Sequence, residues 1–396
     1  MNSLFEISAN KLVEPISVFK RSMFDQLPLD QRMVALKGAR GTGKTTLMLQ
    51  YMRSLQLDSN KVLFISMDDI YFSQNRLLDL ADYFYKRGGK VLLIDEVHKY
   101  PGWSVELKNI YDRYSLLQVV FTSSSALAIH SGEADLSRRA VIMELKELSF
   151  REYLDLEYQI KMDPVNLDYL LENHLQISAQ VCQKMRPLEK FEDYLKFGAY
   201  PFVREGKTYL LKKLAATINQ VLESDLPAID HITYATVVRL KKLLFILAET
   251  CPFKPNISTL SQQLETTRDK VLRYLNQLER ADLLLALRSQ KSGDSYLTKP
   301  EKIYLHNPSL MYAINQREIN KGTVRETFFL SQVSASYPVF FAPDGDFMVN
   351  NTVFEIGGNN KTRKQVSQIA GAIIVKDDIE FGSENTIPLW LFGLMY

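Results

Sequence analysis

The residues with the most specific chemistry form one short run, Gly38-Ala39-Arg40-Gly41-Thr42-Gly43-Lys44-Thr45-Thr46. It satisfies the pattern GxxxxGK[ST] at every position. Gly38, Gly41 and Gly43 let the backbone turn so that its N–H groups point inward at a polyphosphate. Lys44 is placed to reach the β- and γ-phosphates, and the Thr45 hydroxyl to hold Mg2+. The N-terminus of a following helix adds partial positive charge at the same point. The alternative is a chance glycine-rich turn before a helix, and the full match in this context argues against it. The run from Gly38 to Thr46 is therefore expected to contact a nucleotide, with ATP and Mg2+ as cofactors.

A second set of residues completes such a site. Val91 to Ile94 form an apolar run ending in Asp95 and Glu96. Asp95 would orient Mg2+ through its water shell, and Glu96 would polarise the attacking water as general base. Either acid alone would also suit a strand end, but together with Lys44 they read as the rest of the site. The apolar run Leu117 to Ser125 ends in serines, of which Ser124, with Ser123 next, is the candidate sensor of the γ-phosphate. A plain serine-rich turn accounts for them equally well. Arg138 and Arg139 precede the run Ala140 to Leu145. An arginine there would reach a phosphate in its own or a neighbouring subunit, or form a surface ion pair.

These residues need elements to hold them. Met33 to Leu36 read as the strand before the glycine loop and Leu47 to Met52 as the helix after it. Residues 1–30 read as helix with proline-containing turns beside the pocket. Lys61 to Asp69 is a buried strand ending in acids, followed by a helical pattern over Asn75 to Lys86 that Gly88-Gly89 breaks. Five strand candidates with intervening helices predict an α/β three-layer sandwich around a parallel sheet. A strand between the loop strand and the Asp-Glu strand in sequence, and a Glu beside the Asp, favour the additional-strand group of phosphate-loop ATPases over kinases or GTPases. No guanine-reading NKxD pattern is evident, so ATP is preferred to GTP.

The succession GARGTGKTT, VLLIDEVHKYPGW, TSSSAL and LSRRAVIMELKELSFREYL resembles a large set of predicted bacterial and archaeal ATPases of the AAA+ superfamily, which carry a C-terminal domain of unestablished function. ELSFREYL, Glu147 to Leu154, resembles the family segment at the exit from the ATPase core, and FGAYPFV, Phe197 to Val203, its FGGYP turn. The family often has TGSS where this chain has Thr122-Ser123-Ser124-Ser125, and a glycine at the place of Arg138. By that match Arg139 corresponds to the family arginine.

Beyond the core, expected over residues 1–148, residues 149–233 have helical spacing and read as a small helical lid. Residues 234–306 read as three helices and a hairpin, the outline of a winged helix-turn-helix. Its third helix, from Arg268, places Val271, Leu275 and Leu278 on one face, with Arg268, Lys270, Arg273 and Arg280 available to duplex DNA. Asp269, Glu279, Asp282 and Asp294 dilute that charge and equally suit a winged helix used for protein contact. Residues 307–396 return to α/β. Glu326 in a helix, then Asp346 and Glu355-x-Gly357 in strands, resemble a restriction-endonuclease-like core, where D…ExK would hold Mg2+. Gly357 stands at the lysine position, so the resemblance is to a degraded nuclease site that Lys361 or Lys364 would have to complete.

Composition narrows the remainder. With 396 residues the chain exceeds one ordinary core, and 46% hydrophobic and 24% charged residues suit an ordinary globular protein. A net charge of +2 neither announces nor excludes a nucleic-acid partner. Two distant cysteines, Cys182 and Cys251, and five scattered histidines support neither disulfides nor structural zinc. No stretch has membrane-spanning length and the start lacks a signal-peptide core, so a cytoplasmic protein without a membrane partner is expected. The expectation is an ATPase that drives its appended domains on DNA. A nucleotide-dependent switch or scaffold for a protein partner, and an ATP-gated nuclease, are the alternatives; the oligomeric state stays open.

Overall fold

The computed structural model describes residues 1–123, 136, 138–230, 232–290, 299–315 and 319–396. The chain divides into two compact units, Met1–Glu147 with Glu223–Thr233, and Leu148–Leu222 with Tyr234–Tyr396. The segments read in sequence as lid, winged helix and nuclease-like domain thus share one unit. Residues 223–233, expected in the lid, belong instead with the first unit.

In the first unit, β1 (Met33–Lys37), β2 (Val62–Ser66), β3 (Val91–Asp95), β4 (Gln118–Ser123) and β5 (Val141–Glu144) form one sheet in the order β2-β3-β4-β1-β5. All its pairings are parallel. The strand between β1 and β3 in space is β4, while β2 forms the edge beside β3. Apolar residues cover both faces of the central strands. Met33, Ala35, Leu63, Ile65, Leu92, Ile94, Val119 and Phe121 pack in one cluster, and Val34, Leu36, Phe64, Leu93 and Val120 in another. This is why the strands read as unbroken apolar runs rather than alternating ones. Helix Asn2–Val13 packs by β2, where the buried Ser8 hydroxyl accepts the Phe64 N–H at 2.8 Å.

The second unit opens with helix Phe150–Tyr158, whose start explains the ELSFREYL signature. Ser149 Oγ accepts the Glu152 N–H at 3.1 Å, and the Glu152 carboxylate accepts the Ser149 N–H. This reciprocal cap satisfies two donors at the helix start. Helices Leu167–Lys184, Pro187–Phe197 and Leu210–Gln220 follow. Then come helices Tyr234–Thr250, Ile257–Gln263 and Arg268–Arg280, and the antiparallel pair β6 (Leu284–Leu287) and β7 (Lys302–Leu305). Val271, Tyr274, Leu275 and Leu278 are buried, while Arg268, Lys270 and Arg273 are exposed and Arg280 is half-buried. The turn expected at Lys291 to Asp294 lies outside the described residues.

Helix Lys321–Val333 precedes a second sheet, ordered β12-β11-β10-β9-β8. Its strands are β8 (Phe340–Phe341), β9 (Phe347–Val349), β10 (Thr352–Gly357), β11 (Ile373–Lys376) and β12 (Thr386–Pro388). The meander β8–β9–β10 is antiparallel and β10, β11 and β12 are parallel, so the sheet is mixed. Before β11 the chain makes a single short helical turn, Arg363–Val366. Gly371, at φ +75°, turns the chain just before β11.

Candidate active site

The glycine loop joins β1 to helix Lys44–Ser54 at the C-terminal edge of the sheet. Gly38 has φ +152°, and a Cβ there would lie 2.3 Å from the Leu145 carbonyl oxygen. No side chain fits. Gly43 caps the helix at φ +95°, a left-handed conformation open to glycine at low cost. Arg21, buried, donates to the Thr42 carbonyl at 2.7 Å and to the Lys146 and Glu147 carbonyls at 2.7 and 3.0 Å. It ties the loop to the end of the core.

Lys44 Nζ donates to the Gly38 and Ala39 carbonyls at 2.9 and 2.8 Å, so its ammonium lies inside the loop, where phosphate oxygens would be received. Thr45 Oγ1 donates to Asp95 Oδ2 at 2.8 Å. Asp95 ends β3, two strands from β1, and it still meets Thr45 because the loop helix starts over the sheet edge. A hydroxyl and a carboxylate side by side are the hard oxygen donors that suit Mg2+.

Thr122, fully buried on the intervening strand, was not singled out in the sequence. Its hydroxyl pairs with Asp95 Oδ1 and accepts the Glu96 N–H at 3.0 Å. It thereby fixes both acids of the Asp-Glu pair. Glu96 has φ +57°, unusual for a non-glycine residue. Its Oε2 is buried with no hydrogen-bond partner among the described residues. Two cations face it instead, Lys99 Nζ at 3.4 Å and Arg40 at 3.5 Å, and His98 Nε2 lies 3.9 Å away. Burial pulls the Lys99 ammonium down, but its hydrogen bond with Asp68 and the Glu96 charge more than reverse this and raise its pKa. His98 is buried, with Nδ1 3.4 Å from Ser123 Oγ.

Of the remaining sequence candidates in this unit, Ala39, Gly41 and Thr46 lie in the loop as expected, and Ser124 lies outside the described residues. Arg139 precedes β5, at the edge of the parallel sheet opposite the glycine loop. There it grips Asp112 at 2.9 and 3.0 Å. Strand polarity therefore separates Arg139 from the phosphate site of its own chain, and Arg138 nearby is exposed.

Residues 30–154 match the AAA domain family. They form an AAA-type phosphate-loop domain. Residues 188–321, downstream of the AAA domain, match a domain of unknown function (DUF8612). An uncharacterized protein of Methanocaldococcus jannaschii is 26% identical over 386 residues, covering 89% of this chain and 81% of that protein. An uncharacterized protein of Haemophilus influenzae is 23% identical over 330 residues, covering 77% and 75%. Among solved structures, a Walker-type ATPase of Pyrococcus abyssi aligns over 77% of this chain and 99% of its own, at 12% identity and a TM-score of 0.43.

In the second unit, Glu326, Asp346 and Glu355 do come together, with two lysines among them. Lys302 Nζ lies 3.3 Å from Asp346 Oδ1 and 3.7 Å from Glu326 Oε2. Tyr304 donates to Glu326 at 2.7 Å, and the Ile356 N–H donates to Asp346 at 2.9 Å. Lys361 forms an ion pair with the fully buried Glu355. Its side chain crosses over Gly357, where a Cβ would come within 2.6 Å of it. The glycine at the lysine position thus admits a lysine from four residues on. Among the described residues no group of three or more Asp, Glu, His or Cys side chains is arranged to hold a metal ion. Lys361 thus supplies beside Glu355 the ammonium group that Gly357 lacks. Among the described residues, no helix is long and apolar enough to cross a membrane.

Proposed function

We propose that the protein hydrolyses ATP at the glycine loop and uses the cycle to rearrange the domains that follow. The observation that carries this is the contact of Thr45 Oγ1 with Asp95 Oδ2 at 2.8 Å, with the Lys44 ammonium inside the loop beside it. Loop N–H groups and Lys44 bind the β- and γ-phosphates. Thr45 would hold Mg2+ and Asp95 would orient its water shell, and the ion would supply charge neutralisation at the phosphate oxygens. Glu96 accepts a proton from the attacking water as general base, and Thr122 holds it there. The sensor role of Ser124 belongs to this same reading, as does a role for Arg139 toward the phosphates of a neighbouring subunit.

The partner we propose is duplex DNA, met by Arg268, Lys270 and Arg273 on the exposed side of helix Arg268–Arg280, with Arg280 at its end. As the third helix of a winged-helix module it would enter the major groove of the DNA. The test is ATP turnover with and without duplex DNA, at low and high salt. Stimulation that fades with salt, and weakens in Arg268→Ala/Arg273→Ala, supports it. Turnover indifferent to DNA favours the protein-directed switch, for which Asp269 and Glu279 on the same helix speak, Glu279 being ion-paired with Arg288. An ATP-gated nuclease is the remaining alternative, since Lys361 pairs with Glu355 as the lysine that Gly357 does not supply.

A further inference from the structure

Arg40 and Asp225 lie 185 residues apart in sequence, yet their side chains meet beside the phosphate loop. Arg40 Nη1 donates to Asp225 Oδ1 and Oδ2 at 3.2 and 3.1 Å, and lies 3.5 Å from Glu96 Oε2. One guanidinium therefore bridges two acids, one of them the general base of the proposed reaction. The Asp225 side chain is 1% exposed and that of Arg40 21%, so the guanidinium is the more accessible partner of the pair. Asp225 also lies 3.9 Å from His98 Nε2. Burial pushes the Asp225 carboxyl up, but the hydrogen bond from His98 and the charge of Arg40 outweigh it and hold it below the usual carboxylate range. The pair is ionic at neutral pH.

Two further facts give the bridge a role. Arg40 is itself part of the loop, between Ala39 and Gly41, so an arriving triphosphate sets a third and more strongly charged anion beside the same guanidinium. Asp225 belongs to the segment Glu223–Thr233, which packs in the first unit although the chain on both sides of it belongs to the second. Asp225 is thus one of the groups that hold in place a segment to which both flanking stretches of the second unit are covalently tied.

We propose that Arg40 is a nucleotide-responsive latch. Without a triphosphate it bridges Asp225 and Glu96; when ATP binds, the guanidinium turns to the γ-phosphate, frees Glu96 to engage water, and lets go of the Glu223–Thr233 segment. Asp225 is then a positioning residue that acts through Arg40. This rests on the reading of the loop as an ATP-hydrolysing site. Because Asp225 competes with the γ-phosphate for Arg40, it lowers apparent ATP affinity by the fraction of molecules left latched. ADP has no γ-phosphate and does not sense the competition.

The experiment uses the full chain as wild type, Lys44→Ala, Arg40→Gln, Asp225→Asn and Asp225→Glu. Dissociation constants for Mg-ATP and Mg-ADP are measured by displacement of a fluorescent nucleotide, after thermal melts have shown each variant folded. Arg40→Gln is expected to weaken ATP about 10-fold and ADP less than about 2-fold, within the usual range of coupling between sites. Asp225→Asn is expected to tighten ATP about 3- to 10-fold without moving ADP, and Asp225→Glu to restore the wild-type ratio. The latch is overturned if Arg40→Gln or Asp225→Asn moves ATP and ADP by one common factor, as a structural defect would, or moves neither. If wild type binds no nucleotide, or Lys44→Ala binds as wild type does, the ATPase reading itself has failed and the latch falls with it.

Discussion

Replacing Thr122 by valine tests how the Asp-Glu pair is held. The side chain is fully buried, and its single hydroxyl serves Asp95 Oδ1 and the Glu96 N–H together. Valine keeps the shape and removes both partners. A buried polar group left without its partner costs about 1–3 kcal/mol, so two of them predict a loss of roughly 2–6 kcal/mol. Asp95 keeps its contact with Thr45, which places the expectation at the lower end. The functional loss is larger, because an outer-shell partner of a metal-binding carboxylate is worth about 10- to 100-fold in metal affinity or activity. Urea denaturation gives the first quantity and a Mg2+ titration of ATP turnover the second. Thr122→Ser, which retains the hydroxyl, should recover most of both. A Thr122→Val protein with wild-type stability and an unchanged Mg2+ dependence would refute the reasoning.

Gly38→Ala is expected to unfold at lower denaturant and lose nucleotide binding, since the new Cβ would strike the Leu145 carbonyl; strain of this kind costs about 1–3 kcal/mol or more, and a binding isotherm matching wild type would contradict it. Glu326→Gln probes the buried acid cluster by pH. Burial, with the Asp346 charge, raises the Glu326 pKa against the opposing Tyr304 and Lys302 contacts. A carboxyl with a raised folded pKa favours the fold below its unfolded pKa, and that advantage is lost as pH rises through the folded value. The variant should therefore melt higher than wild type near neutral pH, and the gap should close toward about pH 4. A gap that widens on acidification would reverse the assignment.

Much of the first unit is legible in the sequence because its signals are local. The loop from Gly38 to Thr46 must be contiguous to wrap a phosphate, and central parallel strands, covered on both faces, appear as apolar runs such as Val91 to Ile94. What stays hidden depends on distant pairing. Thr122 looks like any threonine in a strand until β4 is set between β1 and β3. Arg21 and Asp225 reach the loop from 21 and 185 residues away, and no spacing rule links them. The ion-paired position of Arg139 depends on which end of the sheet it occupies, a property of strand polarity rather than of neighbouring residues. In the second unit the three acids were visible singly. Lys302 comes from a separate hairpin strand, so its place among them could not be read from the D…E spacing. Lys361 was within view, and the space over Gly357 is what lets it in.

The central claim is that Glu96 drives hydrolysis of ATP bound at the glycine loop. The most direct measurement is single-turnover hydrolysis of Mg-ATP by wild type and Glu96→Gln, with nucleotide binding followed in the same samples. Both proteins should bind Mg-ATP, and the variant should hydrolyse it at least about 100-fold more slowly, the usual worth of a general base. Equal single-turnover rates in the two proteins would remove Glu96 from the chemistry and contradict the account.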